Sequence, residues 1–171
     1  DGQRLTAIAN HLIAHFASHP EELGNYRLVI VPCANPDGAI AGKNAQRSGK
    51  NAFGRCTAAH IDINRDFGPF KGKETRALRD FILRSKPNVY INAHGWLNET
   101  LGTKKLCQIV NRTLHLNKMK DGVYAANEGY AIGWVHKKLH IPCCLLEYKA
   151  PNALHTKDNV RMIREIIKAY A

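Results

Sequence analysis

Three polar features of this chain could take part in hydrolytic chemistry, and each lies beside or at the end of an apolar run. Asn64 and Arg65 are adjacent, and a carboxamide next to a guanidinium fork can hold a carboxylate through parallel hydrogen bonds. His94 follows the run 88–92, where an imidazole can bind a metal ion. Glu147 ends the run 143–146, and a carboxylate beside a metal could act as a base. We therefore expect these side chains to meet in one crevice.

The bulk composition is that of one ordinary globular domain. The chain has 171 residues, of which 44% are hydrophobic and 23% are charged, which is enough for a single domain with its own core. No apolar run approaches the roughly 20 residues that cross a bilayer, so we expect no membrane span. The five cysteines contain no Cys-x-x-Cys pair, which argues against a structural zinc site. Their odd number favours a soluble protein of a reducing, cytoplasmic compartment.

The charge of the chain says little about its partner. A formal net charge of +11 favours anionic partners in general. The basic residues are scattered, however, and no recognisable DNA- or RNA-binding module is present. We therefore expect a solvated basic surface and no nucleic-acid partner.

The apolar pattern predicts strands that alternate with helices. Buried strands are expected at 26–32, 88–92 and 141–148, and helices at 5–16, at 73–83, after Thr103, around 132–135 and at the carboxyl end. Residues 39–60 show little periodicity and predict a long loop. Such alternation indicates an α/β fold of three layers, with a mixed, mostly parallel twisted sheet and helices on both faces. In such sheets ligands bind at the carboxyl ends of strands, where Asn35, His94 and Glu147 fall.

Five short motifs occur in an order that resembles the zinc carboxypeptidases of the M14 type. They are Asn35-Pro36-Asp37-Gly38, Asp62-Ile63-Asn64-Arg65-Asp66-Phe67, Glu74-Thr75-Arg76-Ala77, Ile91-Asn92-Ala93-His94 and Leu145-Leu146-Glu147. The second motif has Ile and Asp where the family has Leu and Asn, in Asp-Leu-Asn-Arg-Asn-Phe. The resemblance implies a carboxypeptidase-like α/β fold and one catalytic domain over residues 1–171.

The resemblance also implies a zinc-dependent metallocarboxypeptidase and assigns its chemistry. His94 would bind Zn²⁺, and Glu147 would take a proton from the metal-bound water and pass it to the leaving amine. Asn64 and Arg65 would hold the terminal carboxylate of a peptide substrate. Arg55 would stabilise the oxyanion.

Two of these assignments have competitors in the sequence. Arg47 is an alternative to Arg55 for the oxyanion. Tyr124 would cap the substrate, and Tyr130 competes for that role. The segment 131–134, the expected pocket floor, contains no acidic residue, which favours a small or apolar terminal residue over Lys or Arg.

One part of the family pattern is missing from its expected place. The first two zinc ligands of the family come from a His-x-x-Glu motif before the first helix, a place that would lie upstream of Asp1. His19-Pro20-Glu21-Glu22 has the spacing but follows the helix, so we expect a surface turn there. The domain is therefore expected either to lack its N-terminal portion, with that segment as a further partner, or to have lost the metal.

Two other functions remain open from the sequence. An N-acyl amino acid deacylase of the aspartoacylase type shares the Asp-Leu-Asn-Arg element, although Asp37-Gly38 after Asn35-Pro36 favours the peptidase. A metal-free module could recognise chain termini through Asn64 and Arg65. Arg65 could instead form a structural ion pair with Asp62 or Asp66.

Overall fold

Four strands form the central layer of the molecule. The computed structural model describes residues 2–47, 54–121, 129–150 and 156–171. In this part of the chain, β1 (Tyr90–Gly95), β2 (Glu99–Gly102), β3 (Lys118–Asp121) and β4 (Cys143–Tyr148) lie in the spatial order β1-β4-β2-β3. β1 and β4 are parallel, as are β2 and β3, whereas β2 and β4 are antiparallel. The predicted mixed, mostly parallel sheet is confirmed.

Helices cover both faces of this sheet. The described α-helices are α1 (Gly2–Ser18), α2 (Pro36–Arg47), α3 (Lys73–Ser85), α4 (Lys104–Leu114), α5 (Ala131–Leu139) and α6 (Thr156–Tyr170). One core joins α1, α4 and α6 to one face of β4, and a second core joins α3 and α5 to the other. The residues of β4 alternate between them: Leu146 packs in the first core and Leu145 in the second. Among the helices that the structure describes, none qualifies as a membrane span.

Two predictions about local structure are wrong. The run 26–32 was expected to be a strand, but it lies in the structure without a ladder to any described strand. A strand needs a neighbour for its backbone groups, and none of the four strands supplies one. The first part of the expected loop 39–60 is instead α2. Asn35 starts that helix, because its Oδ1 accepts a hydrogen bond from the Gly38 N–H at 2.9 Å and Pro36 fits the first helical position.

Glu22 connects the end of α1 to α6. It lies in a short 3₁₀ helix, Pro20–Leu23, within the segment where we expected a surface turn. Its carboxylate accepts hydrogen bonds from the Arg164 guanidinium and lies 2.9 Å from His15 Nε2. These contacts with Arg164 and then His15 lower the pKa of Glu22 to about 2.

We expect Glu22→Gln to lower the melting temperature by a few degrees at pH 7. The folded-state pKa lies below the ordinary value of 4.5, so the stabilisation by the carboxylate is present above that pH. It is lost as the pH falls toward about 2. Thermal unfolding of both proteins across this range should therefore show the difference shrinking with acidification. Glu21→Gln is the control, and a difference that does not change with pH would contradict the assignment.

Candidate active site

His94 and Glu147 lie side by side at the carboxyl ends of β1 and β4. They are partners in the register of these two parallel strands, so their side chains leave the same face of the sheet. His94 Nε2 and Glu147 Oε2 are both buried, and neither has a hydrogen-bond partner among the described residues. Buried polar atoms are nearly always paired, so two adjacent unpaired atoms mark a place where a ligand fits.

Burial shifts the protonation equilibria of both side chains. It lowers the pKa of His94, and the nearby Arg55 guanidinium lowers it further, so the neutral imidazole is favoured. Burial raises the pKa of Glu147, and the neighbouring Glu99 carboxylate adds to this against a hydrogen bond from the Leu97 backbone. Neutral imidazole is the form that binds metals, and a carboxylate of raised pKa is suited to accept and return a proton.

Arg55 is held near this pair by the turn that starts α2. Asn35 Nδ2 donates to the carbonyl oxygens of Gly54 at 3.3 Å and Arg55 at 3.2 Å. The two backbones come so close that a Cβ on Gly54 would lie 1.8 Å from Gly38 O, so a larger residue could not be placed there. The side chain of Arg55 donates from Nε to Asp62 Oδ2 at 2.6 Å and is 60% exposed.

Arg65 presents its guanidinium to solvent from the 3₁₀ helix Ile63–Arg65. Asp62 caps this helix by accepting from the Asn64 N–H at 2.9 Å. Arg65 Nη1 donates to Asn64 O at 2.7 Å, and its guanidinium carbon lies 4.4 Å from the centre of the Tyr130 ring. Asp62 pairs with Arg55 and Asp66 accepts bonds from the start of α3, so the structure gives neither as an ion-pair partner of Arg65. The guanidinium is therefore available to a ligand.

Asp66, where the resembled family has Asn, fixes the start of α3. Its Oδ1 accepts from the Lys71 N–H at 2.9 Å, and its Oδ2 accepts from the Gly72 N–H at 2.8 Å and from the Thr75 hydroxyl. Burial by itself would raise the pKa of Asp66, but these hydrogen bonds outweigh it and hold the pKa below its usual range. The carboxylate therefore links the Asn64–Arg65 element to the helix behind it.

Asp66→Asn is expected to lower the free energy of unfolding by about 1–3 kcal/mol. The Asn side chain would place its NH₂ group against at least one of the three groups that donate hydrogen bonds to Asp66, so that hydrogen bond would be lost. Urea unfolding measures this loss. Asp80→Asn is the matched control, since that carboxylate is 48% exposed and its ion pair with Arg79 should contribute little. Equal stability of Asp66→Asn and the unsubstituted protein would contradict the role of Asp66.

One cavity of about 1840 Å³ brings the expected site residues together. Its lining includes Arg55, Asn64, Arg65, His94, Tyr130 and Glu147. The expected cap Tyr124 lies outside the described residues, and so does the side chain of Arg47. Five of the six assigned residues, together with the competitor Tyr130, thus line one crevice, and their roles in catalysis or substrate binding stay predictions.

Sequence reasoning missed Glu99. It lies opposite Glu147 in the antiparallel pairing of β2 and β4, is buried, and forms an ion pair with Lys120 at 2.8 Å. The four-residue strand that carries it has no alternating pattern that the sequence could reveal. Only the strand pairing shows that two carboxylates are neighbours here.

The described residues do not by themselves form a zinc site. Among them no group of three His, Cys, Asp or Glu side chains could hold a metal ion, whereas catalytic zinc usually has three protein ligands. The unpaired Nε2 of His94 can supply one ligand. All five cysteines are free, and Cys107, Cys143 and Cys144 are buried away from this crevice or packed in the cores.

Comparison with known proteins decides the family. A family model described as zinc carboxypeptidase, peptidase M14, matches residues 3–101. The chain belongs to this family. Bacteriocin BCN5 of Clostridium perfringens is 30% identical over 192 residues, which cover 99% of this chain but 20% of that protein. This M14 chain therefore spans about a fifth of the length of that relative.

Solved structures confirm the expected fold. The M14 chain is similar to bovine thrombin-activatable fibrinolysis inhibitor in complex with tick carboxypeptidase inhibitor, with TM-score 0.72, 12% identity, and coverage of 96% of this chain and 77% of that one. A metallo-carboxypeptidase from Pseudomonas aeruginosa gives TM-score 0.59 at 17% identity, over 95% of this chain and 51% of that one. Murein-tripeptide amidase MpaA of Escherichia coli O157 gives 0.55 at 17% identity, over 81% and 66%.

Proposed function

We propose that this M14 chain forms the crevice residues of a zinc-dependent metallocarboxypeptidase, which hydrolyses the C-terminal peptide bond of a peptide. One observation carries the proposal. A half-buried imidazole and a half-buried carboxylate, partners in the strand register and each with a buried unpaired atom, line the same cavity as an exposed guanidinium. A proton acceptor and an anchor for the chain end are the two parts that such an exopeptidase needs.

The anchor consists of Arg65 and Asn64. The Arg65 guanidinium is exposed and stacked on Tyr130, so its planar fork is held in one orientation. A free terminal carboxylate can accept two parallel hydrogen bonds from such a fork. An internal peptide bond offers no carboxylate at this position, and this difference would restrict cleavage to the chain end.

Proton transfer is assigned to Glu147. As water attacks the scissile carbonyl carbon, its proton moves to the Glu147 carboxylate and then to the departing amide nitrogen when the C–N bond breaks. The negative charge that develops on the carbonyl oxygen faces Arg55, whose side chain is 60% exposed although Nε is bonded to Asp62. The three residues thus divide proton transfer, charge stabilisation and substrate anchoring.

His94 is proposed as one ligand of the zinc ion. Zinc binding would require further ligands from outside residues 2–47, 54–121, 129–150 and 156–171, because the described residues supply no three-ligand group. The same observation favours a second candidate, a metal-free module that binds C-termini through Asn64 and Arg65. The two candidates differ in the zinc content of the protein.

The test uses the polypeptide that the gene encodes. Its zinc content is measured by elemental analysis, and release of the terminal residue is followed on peptides with free and amidated C-termini, on murein peptides and on N-acyl amino acids. Murein peptides are included because one structurally similar protein is a murein-tripeptide amidase. We expect about one zinc per chain and cleavage of free C-termini only. If the protein contains no zinc and binds peptides with free C-termini but does not cleave them, the result would support the metal-free module. A preference for N-acyl amino acids over peptides would support a deacylase.

A further inference from the structure

The end of the molecule opposite the candidate active site is built from the starts of β1 and β4. His94 lies roughly 13 Å farther along β1, because each residue of a parallel strand advances the chain by about 3.3 Å. Helices α3 and α5 end here, since each leads into one of these strands. α4 begins here, because the Thr103 N–H donates to Cys143 O at 2.8 Å, at the start of β4. Both helical layers therefore reach this end.

Exposed cations from several elements meet at this end. Arg27 belongs to it because its Nη2 donates to Ser85 O at 2.9 Å, in the last turn of α3. α6 ends here as well, because Lys105 Nζ donates to Ala169 O. The exposed cationic side chains at this end, together called the basic end, are Arg27, Arg84, Lys86, Lys104, Lys105, Lys137 and Lys138. They are scattered along the sequence, and the fold brings them together.

Carboxylates neutralise little of the charge of the basic end. Two nearby carboxylates already have cationic partners: Glu165 of α6 pairs with Lys168, and Asp80 of α3 pairs with Arg79. In the part of the chain that the structure describes, no carboxylate forms an ion pair with Arg27, Arg84, Lys86, Lys137 or Lys138. The basic end is therefore a positively charged surface that attracts an anionic partner.

Helix dipoles account for part of this charge but not for all of it. The carboxyl end of a helix favours cations, and Arg84, Lys137 and Lys138 lie in the last turns of α3 and α5. Lys104 and Lys105 are instead the first two residues of α4, where the dipole disfavours positive charge and the first turn contains no acidic residue. α4 by itself gains no stability from this pair of lysines. A local cost of this kind is typical of residues kept for binding.

The basic end is a broad face with apolar side chains among its cations. α3 and α5 belong to one helical layer and α4 and α6 to the other, so the charge spans both layers. Leu83, in the last turn of α3, and Tyr26, beside Arg27, are 36% and 39% exposed. This mixture suits the headgroup region of a bilayer, where cations meet phosphates and apolar or aromatic side chains enter beside them. A nucleic acid offers no apolar layer for Leu83 to enter.

We propose that the basic end binds the surface of a bilayer that contains anionic lipids. Its lysine and arginine side chains contact the lipid phosphates, and Leu83 enters the headgroup region beside them. The candidate crevice lies at the other end of β1 and β4, so it faces away from the bilayer and stays open to a peptide. The binding needs no membrane-spanning helix and does not depend on the proposed hydrolytic activity.

Flotation with lipid vesicles tests the proposal on the polypeptide that the gene encodes. We expect it to bind vesicles of about one-third phosphatidylglycerol at least about 100-fold more tightly than vesicles of phosphatidylcholine alone, and to lose affinity as salt is added. Each cation near the surface should contribute about 5-fold to the affinity. Binding should therefore weaken by about 100-fold or more in a variant that carries Lys86→Gln, Lys104→Gln, Lys137→Gln and Lys138→Gln. Equal binding to both kinds of vesicle would overturn the proposal.

The matched control removes four exposed lysines at the other end of the domain, where α3, β3 and α6 begin. It carries Lys71→Gln, Lys73→Gln, Lys118→Gln and Lys157→Gln, so its net charge falls by the same amount. We expect it to weaken vesicle binding by less than about 10-fold. If both variants weaken binding equally, the attraction follows net charge alone and the proposal is wrong.

The apolar contact separates a bilayer from a soluble polyanion. Leu83→Ser should weaken binding to the phosphatidylglycerol vesicles by about 3-fold to 10-fold and leave binding to a DNA duplex unchanged. Ile40→Ser is the control, since Ile40 is 62% exposed but lies on α2, and it should change neither. Unchanged vesicle binding in Leu83→Ser would count against the bilayer. A DNA duplex bound more tightly than the vesicles would overturn the proposal in favour of a nucleic acid.

Discussion

Glu147→Gln is expected to lower kcat by about 100-fold to 10,000-fold without lowering stability. Gln keeps the shape of the side chain but cannot accept the proton of the attacking water. Burial raises the pKa of Glu147, and Oε2 has no hydrogen-bond partner among the described residues, so the ionised carboxylate is costly in the folded protein. Removal of its charge should leave the melting temperature unchanged or higher. Peptide hydrolysis and thermal unfolding of the gene-encoded polypeptide measure the two effects.

The matched control is Glu165→Gln, because that carboxylate pairs with Lys168 on α6, away from the crevice. It should leave kcat unchanged. Retained activity in Glu147→Gln would refute the assignment of the general base. A large fall in melting temperature together with lost activity would instead indicate that Glu147 is structural.

Arg65→Ala is expected to lower kcat/KM by roughly 10-fold to 100-fold on peptides with a free terminal carboxylate. The loss should be much smaller on amidated peptides, because these lack the group that the guanidinium would hold. Arg65→Lys should recover only part of the loss, since the ammonium keeps the charge but not the planar fork. Paired kinetics on free and amidated forms of one peptide measure the ratio directly.

Arg84→Ala is the control for the loss of one exposed positive charge, and it should leave the ratio between free and amidated substrates unchanged. An equal loss on both substrate forms in Arg65→Ala would show that Arg65 supports the fold of the crevice. Its stacking on Tyr130 is the contact that such a structural role would use.

Helices and strands could be predicted from the sequence where the pattern of apolar residues within each segment determines them. The helix at 73–83 is confirmed because its apolar spacing matches the face that it buries, and the strand at 141–148 is confirmed because its continuous apolar run fits a strand buried on both faces. The helix expected after Thr103 begins at Lys104, but the Thr103 hydroxyl does not cap it and instead accepts from the Cys143 N–H at 3.1 Å. The helix boundary can be predicted from neighbouring residues, whereas the hydrogen-bond partner of the hydroxyl is a residue far away in the chain.

The sequence by itself determined the family, the α/β class and five of the residues that line the crevice, because short motifs keep their order and residue types along the chain. The tertiary structure alone decided that His94 and Glu147 are register partners, that Glu99 lies beside them and that the run 26–32 pairs with none of the described strands. Strand pairing depends on contacts between residues far apart in the chain. An apolar run carries the same pattern whether or not it pairs with another strand.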